Sequence, residues 1–264
     1  MLTLGELRQA RRSAARAVAA ASEAILREAR RGPRVEFKSD SSPVTSADLA
    51  AEEAILAILR ADWPGASILA EESGAASGDP RLVWIVDPLD GTRGFARGGT
   101  HYGPLVGLEC EGRVVVGAMA LPALGRSYDA ASTLGCARDG SALRLAPCED
   151  WSRATLSVGE WSRLARGSRA EALSRLARDC ASMRAFGDVA SLAMLLDGAA
   201  DCWIEGGVQP WDLAPAQILV EEAGGFFSDF EGRATIHSGE ALAGTPAIHA
   251  HALARLRACG APDG

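Results

Sequence analysis

Two aspartates directly after a short apolar run are the residues of this sequence best suited to chemistry. Asp87 and Asp90 stand three residues apart, around Pro88, and follow Leu82–Val86. That run predicts a buried strand, because it is short, apolar and rich in β-branched residues. Carboxylates at the carboxyl end of such a strand can point into one cleft, where hard divalent cations find oxygen ligands. A surface turn with two solvated aspartates is the ordinary alternative.

Further acidic residues lie where predicted strands end or where a predicted helix begins. Glu71 and Glu72 follow one short strand, and Glu205 ends another. Asp212 opens the helix predicted for Trp211–Ala223. Each has an ordinary alternative taken alone, either a solvated strand end or an aspartate that complements a helix dipole. Their joint order along the chain is the stronger indication of one acidic site.

The surrounding pattern predicts layers of helix and strand. Residues 4–31, capped by Thr3, and the segment Ala47–Trp63, capped by Thr45 or Ser46, have helical apolar spacing, and Glu36–Pro43 between them is expected to be a loop. The predicted strands are Ser67–Ala70, Leu82–Val86, Tyr102–Glu109, Arg113–Met119, Arg126–Ala130, Leu143–Leu145, Ala154–Val158, Met183–Phe186, Ala200–Glu205 and Phe226–Asp229. The later helices are predicted at Ser162–Ala177, Asp188–Leu196, Trp211–Ala223 and His249–Cys259. We expect two closely packed halves, residues 1–140 and 141–264.

Composition narrows the class of function. The formal net charge is −7 and no basic run stands out, which argues against nucleic acid or an anionic membrane as the main partner. The N-terminal segment is punctuated by charges, so we expect neither a signal peptide nor a membrane span. The six scattered cysteines are expected to be reduced thiols of a cytoplasmic protein. Lys38 is the one lysine among the 27 lysine and arginine residues. Either its compact ammonium has a specific role, or it is a surface lysine present by chance.

Taken together, the motifs resemble those of the inositol monophosphatase superfamily. One is Asp87–Thr92 after its apolar strand, and the other runs from Trp211–Ala214 to Glu222–Gly225. Glu71–Ser73 and Val44–Asp48 also match, and the resemblance spans roughly residues 10–255. It implies a layered αβαβα fold with a mostly antiparallel large sheet and a smaller second sheet. It also implies a magnesium-dependent phosphatase that acts on a small phosphate monoester.

The resemblance also assigns roles to residues. It implies two to three magnesium ions, and their ligands would be Glu71, Asp87, Asp90, Asp212 and the Leu89 carbonyl. Thr92, positioned by Asp48, would help to hold the attacking water, and Glu71 would share in catalysis. The expected substrate contacts are Lys38, Gly91, Thr92, Arg184, Asp188, Glu205 and Asp212.

Within the superfamily, two segments resemble the histidinol-phosphate phosphatase branch. They are Arg184–Asp188 and His237–Ala243. A carboxylate at Asp188 could attract the ammonium of histidinol, although capping of the following helix would also explain it. The stretch Arg93–Phe95 departs from the family pattern, because Gly94 removes a side chain near the mouth of the site.

Other functions stay open. An inositol-1-monophosphatase or a 3'(2'),5'-bisphosphate nucleotidase would share the metal core. A catalytically silent scaffold would be expected to have lost one of the acidic ligands, and none is missing. The histidines His101, His237, His249 and His251 form no metal motif and are expected to be structural or exposed. A homodimer is expected, with a small phosphorylated metabolite as partner and neither nucleic acid nor membrane.

Overall fold

The structure is a computed structural model, and it describes residues 2–39 and 42–258. Its helices are α1 (Leu4–Arg31), α2 (Ser46–Asp62), α3 (Thr92–Phe95), α4 (Trp161–Leu164), α5 (Ala170–Asp179), α6 (Asp188–Leu196), α7 (Pro210–Glu222) and α8 (Pro246–Ala258). Its strands are β1 (Val35–Phe37), β2 (Pro43–Thr45), β3 (Ala66–Ala70), β4 (Gly74–Ala76), β5 (Asp79–Asp90), β6 (Gly103–Cys110), β7 (Arg113–Leu121), β8 (Arg126–Ala131), β9 (Gly135–Arg138), β10 (Ser141–Leu143), β11 (Thr155–Val158), β12 (Ser182–Arg184), β13 (Cys202–Gly206), β14 (Phe226–Ser228) and β15 (Glu240–Gly244). None of these helices is long and apolar enough to cross a membrane.

The two long N-terminal helices begin with the same device. Thr3 accepts a hydrogen bond from the Glu6 N–H and the Glu6 carboxylate accepts one from the Thr3 N–H, so that free backbone groups at the start of α1 are satisfied. Thr45 and Asp48 form the same capping box at α2. The box places Asp48 in the first turn of α2, where its side chain is fully buried.

The large sheet separates α1 and α2 from α7. Its strand order is β10-β9-β8-β7-β6-β5-β3-β4, and among these neighbours only β3 and β5 run parallel. Glycines let α7 lie close to its inner face. A Cβ on Gly107 would stand 2.6 Å from the Ala214 Cβ, and a Cβ on Gly117 would stand 2.5 Å from Ile218 Cγ2. The sheet therefore has helices on both faces.

The second sheet completes the layers, with the strand order β12-β11-β13-β15-β14. One apolar core, including Ile85, Leu213 and Trp203, lies between the two sheets with α6 and α7. Another, including Leu156, Leu173 and Leu256, lies between the second sheet and the outer helices α5 and α8. The order is α1/α2, large sheet, α6/α7, second sheet, α5/α8, which confirms the predicted αβαβα class and its mostly antiparallel large sheet.

Two predicted elements differ from the structure. The ends of the loop expected at Glu36–Pro43 belong to paired strands, β1 and β2, whereas Lys38, Ser39 and Ser42 lie outside the strands and residues 40–41 lie outside the described part of the chain. Backbone pairing between the two short segments, rather than local propensity, decides this. The single helix predicted over Ser162–Ala177 is split into α4 and α5. A turn separates them, in which the Gly167 N–H donates to the Leu164 carbonyl.

Several short elements were not predicted at all. These are β4, β9, β15 and α3, and β10 begins and ends two residues earlier than the strand predicted at Leu143–Leu145. The missed strands are short and rich in glycine and alanine, which carry little intrinsic strand preference. Helix α8 begins at Pro246 rather than His249, and its predicted last residue, Cys259, lies outside the described residues.

Candidate active site

The carboxyl end of β5 brings two carboxylates to one side of the large sheet. Residues three apart on a regular strand point to opposite faces. The pairing of β5 with β6 is irregular between Asp87 and Asp90, where Asp87 pairs with Leu105 and Asp90 with Gly103. Because of this irregularity, the two side chains share one site instead of lying on opposite faces.

Asp212 reaches the same place from the first turn of α7. Its Oδ2 accepts a hydrogen bond of 2.7 Å from the Gln209 N–H at the start of that helix. Carboxylate oxygens of Asp87, Asp90 and Asp212 all lie within 4.8 Å of one another. The structure thus brings together three of the predicted metal ligands from separate parts of the chain.

Crowding makes these three carboxylates hard to ionise without a cation. Burial, and then the charges of Glu71 and the neighbouring aspartates, raise the pKa of Asp87 well above its ordinary value. Burial likewise raises the pKa of Asp90, with Asp188 adding repulsion, and it raises the pKa of Asp212 to about 7. A set of hard, anionic oxygen donors in mutual repulsion fits a divalent cation such as magnesium.

Glu71 lies beside these three aspartates, just after β3, and forms an ion pair with Lys38. Lys38 Nζ lies 3.0 Å from Glu71 Oε1 and 2.7 Å from Glu72 Oε1. Burial lowers the pKa of Lys38, but its hydrogen bonds to Glu72 and Glu71 outweigh this and raise the pKa above its ordinary value. Among the described residues, Glu71 is not one of the three mutually close carboxylates.

A residue that the sequence analysis missed anchors the turn that carries Glu71. The Glu72 N–H donates a hydrogen bond of 3.0 Å to Glu52 Oε2. Glu52 is only 5% exposed on α2, so α2 supports both this turn and Asp48. Its position one helical turn after Asp48 was the available signal.

Thr92 and Asp48 are in contact, as the resemblance implies. Thr92 Oγ1 lies 3.0 Å from Asp48 Oδ1 and 2.8 Å from the Leu89 carbonyl, and it can donate its proton to either. Asp48 Oδ2 accepts hydrogen bonds from the Thr45 N–H and hydroxyl, which hold the carboxylate in place. Gly91 makes the turn between them at φ +82°, and a Cβ there would stand 2.7 Å from the His101 carbonyl oxygen.

A small cavity next to the aspartates is lined by two further carboxylates. Its volume is about 30 Å³, and Asp90, Asp188, Glu205 and Asp212 line it. Glu205 is 1% exposed. Its Oε2 accepts a hydrogen bond of 2.8 Å from Trp203 Nε1, whereas its Oε1 is buried without a partner among the described residues. Burial raises the pKa of Glu205 to about 8.

Asp188, which also lines this cavity, does not cap α6. The Val189 N–H in the first turn of α6 donates a hydrogen bond to Asp90 Oδ2, and not to Asp188. Asp188 has φ +54°, an uncommon conformation for a residue with a side chain. Surrounding protein atoms and the charge of Glu160 raise its pKa to about 6, while Arg93 opposes this.

The branch-like segments lie mostly outside this cavity. Arg184 is exposed at the end of edge strand β12, and its guanidinium donates a hydrogen bond to the Met183 carbonyl. The stretch His237–Ala243 mostly forms β15 and the turn before it, and His237 Nε2 lies 3.0 Å from Glu109 Oε1. Neither segment, apart from Asp188 itself, lines the cavity beside the three aspartates.

Two features of the rim complete the site. Gly94 lines an open depression of about 510 Å³ together with Phe37, Arg93 and Arg97, so its missing side chain leaves space there. The ring of His101 stacks on that of Phe186. His101 is exposed, as expected, but no local signal links two residues 85 positions apart in the sequence.

Comparison with known proteins places this arrangement in context. The model of the inositol monophosphatase family matches residues 6–261. A histidinol-phosphatase from Mycobacterium tuberculosis is 36% identical over 230 residues, which cover 85% of this chain and 88% of that protein. A Nus factor SuhB from Pasteurella multocida is 33% identical, covering 84% of this chain and 85% of that protein. An inositol monophosphatase structure from Anabaena (Nostoc) sp. PCC 7120 has a TM-score of 0.84, with 28% identity and coverage of 96% and 97%.

Proposed function

Because this chain belongs to the inositol monophosphatase family of phosphatases, we propose that it hydrolyses histidinol phosphate to histidinol, with magnesium, in histidine biosynthesis. The observation that carries the proposal is the pair of carboxylates beside the three aspartates. Asp188 and Glu205 both line the cavity next to Asp90 and Asp212, and Glu205 Oε1 is buried without a partner among the described residues. Two acidic groups there favour an alcohol that carries a cation.

The metal would be held by the crowded carboxylates. Asp87, Asp90 and Asp212, with Glu71 and the Leu89 carbonyl, would bind two to three magnesium ions. Bound magnesium neutralises a phosphate dianion and lowers the pKa of a bound water. Lys38 forms an ion pair with Glu71, 3.0 Å from Nζ to Oε1, which would keep that carboxylate ionised and positioned beside the metal ligands.

Thr92 and Asp48 orient the water. When Thr92 donates its proton to Asp48 or to the Leu89 carbonyl, a lone pair of its oxygen is free to accept a hydrogen bond from the water. That bond directs a lone pair of the water toward phosphorus. Asp48 stays fixed by the Thr45 hydroxyl and N–H, so the geometry does not have to be built during the reaction.

Asp188 and Glu205 act on the leaving alcohol. The ammonium of histidinol lies a few bonds from the phosphate ester, whereas inositol offers only hydroxyl groups. An ammonium between the two carboxylates would make charge-assisted hydrogen bonds and supply the missing partner of Glu205 Oε1. It would also favour the ionised form of both groups, whose pKa values are raised in its absence.

A phosphate-release assay tests the proposal. Histidinol phosphate, inositol 1-phosphate and adenosine 3',5'-bisphosphate would be compared with magnesium and with EDTA. We expect kcat/KM for histidinol phosphate to exceed that for inositol 1-phosphate by about tenfold or more, the worth of one charge-assisted hydrogen bond. EDTA should abolish turnover. Faster hydrolysis of inositol 1-phosphate would reject the substrate, and full activity in EDTA would reject the metal mechanism.

An inositol-1-monophosphatase is the second candidate, because Glu205 Oε1 could also accept a hydrogen bond from a substrate hydroxyl. The same assay separates the two. We also propose that the protein is a cytoplasmic homodimer. Each chain of the dimer would consist of two halves, residues 1–140 and 141–264. Sedimentation of the purified protein tests the dimer.

A further inference from the structure

An aromatic pair lies close to the site in sequence and in backbone contacts, outside the groups assigned above. The ring centroids of His101 and Phe186 lie 5.4 Å apart with an interplanar angle of 29°, which is a stacked arrangement. Both residues are exposed, and Phe186 keeps 54% of its surface in contact with solvent. An exposed phenyl ring held by a second ring leaves a flat apolar face open to solvent.

The two rings come from different parts of the chain, and each lies next to backbone of the site. His101 precedes β6 of the large sheet, and its carbonyl oxygen packs against Gly91. Phe186 precedes Gly187, where a Cβ would stand 3.3 Å from Glu205 Oε1. Each ring is therefore attached to backbone that directly contacts the site, so the stack is positioned relative to the carboxylates.

We propose that Phe186, held by His101, forms an aromatic wall against which a flat ring of the leaving alcohol stacks. The inference rests on the proposed function and deepens it. The wall selects phosphate monoesters whose alcohol carries both an ammonium and an aromatic ring.

The order of groups along such a substrate matches the order of residues along this segment. Asp90 accepts a hydrogen bond from the Val189 N–H, Asp188 is the residue before Val189, and Phe186 lies two residues before Asp188 in the sequence. Phosphate at the aspartates and ammonium at Asp188 would leave the next group, the imidazole of histidinol, near Phe186. Because His101 already holds the phenyl ring, little side-chain freedom is lost when a ring stacks on it.

Substrates that separate ring from ammonium provide the test. Histidinol phosphate has both groups, O-phosphoethanolamine has only the ammonium, and the phosphate ester of 4-(2-hydroxyethyl)imidazole has only the ring. Phe186→Leu should lower kcat/KM for both imidazole esters about three- to tenfold, mainly through KM, the range expected for one aromatic stack. Its effect on O-phosphoethanolamine should stay within about twofold. Phe186→Tyr, which keeps a ring, should restore wild-type values.

Matched variants guard the interpretation. Phe226→Leu removes a ring of similar exposure, 55%, that packs on His249 at 5.8 Å, away from the cleft. We expect this variant to leave kcat/KM unchanged for all three substrates. Asp188→Asn should show the opposite pattern to Phe186→Leu, with losses on the ammonium esters and none on the ring-only ester.

Three outcomes would overturn the aromatic wall. The first is an equal loss of kcat/KM on all three substrates in Phe186→Leu, and the second is no loss on either imidazole ester. The third is a change in the sedimentation of Phe186→Leu, which would indicate that Phe186 is a subunit contact instead. The proposed function fails separately, if the wild type prefers inositol 1-phosphate to histidinol phosphate. In that case the two ring-bearing esters still show whether Phe186 stacks on a ring.

Discussion

Glu205 occupies space that only a glycine at position 159 leaves open: a Cβ on Gly159 would stand 1.7 Å from Glu205 Oε1. Gly159→Ala should therefore push the carboxylate out of its cavity. We expect a loss of about 1–3 kcal/mol in the free energy of unfolding from overpacking. The kcat/KM for histidinol phosphate should fall at least as far as in Glu205→Gln.

Gly167→Ala is the matched control for that variant. A Cβ there would meet its nearest atom, the Leu164 carbonyl oxygen, at an ordinary 3.6 Å. Stability by thermal unfolding and kcat/KM should both stay near wild type. If Gly159→Ala keeps the stability and the kcat/KM of Gly167→Ala, the close packing of Gly159 against Glu205 is not required for stability or activity.

Glu205→Gln should stabilise the protein in EDTA, and more so as pH rises. Burial raises the pKa of Glu205 to about 8, from an ordinary 4.5. Between these values the unfolded chain releases a proton that the folded chain retains, so the wild type loses stability as pH rises through this window. The advantage of Glu205→Gln in unfolding free energy should grow to a few kcal/mol and level off above pH 8. Exposed Glu53→Gln should show no such trend in urea unfolding.

Asp188→Asn should lose about ten- to hundredfold in kcat/KM on histidinol phosphate, mainly through KM, and little on inositol 1-phosphate. The pKa of Asp188 is raised to about 6, so its charge is lost as pH falls through that value. The wild-type KM for histidinol phosphate should rise more steeply below pH 6 than that of Asp188→Asn, in which the phosphate of the substrate still titrates but residue 188 does not. Equal losses on both substrates would assign Asp188 a structural role.

Thr92→Val should lower kcat by about a hundredfold or more, because the hydroxyl that orients the water is gone. Thr92→Ser keeps that hydroxyl between Asp48 and the Leu89 carbonyl and should retain most activity. Stabilisation by magnesium, measured as the shift in melting temperature, should be similar in both variants. A Thr92→Val enzyme with wild-type kcat would remove Thr92 from the mechanism.

Magnesium should raise the melting temperature of the wild type. At a concentration a hundredfold above its Kd, it should add about 2.7 kcal/mol to the free energy of unfolding. Asp212→Asn relieves repulsion among the three aspartates, so it should be more stable than wild type in EDTA and gain less from magnesium. Calcium should also stabilise the wild type but support turnover poorly, because it tolerates looser coordination. Glu53→Gln serves as the charge-removal control. An unchanged magnesium response in Asp212→Asn would place the cation elsewhere.

The sequence by itself determined the layered class, most of the long helices and strands, and the acidic residues at their ends. These follow from local patterns. Apolar spacing marks α1, α2 and α7, and the strand before Asp87 is a short β-branched run. Local pattern also sets which residues begin a helix, so Asp48 and Asp212 could be placed in first turns without any tertiary information.

Only the tertiary structure decided which of these residues meet. The irregular pairing between Asp87 and Asp90 turns both carboxylates to one site, and it depends on β6, a separate strand. The glycine- and alanine-rich strands β9 and β15 exist because neighbouring strands pair with them. The contacts of Gly159 with Glu205, and of His101 with Phe186, join segments brought together by the packing of two sheets. Such contacts depend on how layers pack across long sequence separations, and a local pattern does not encode that.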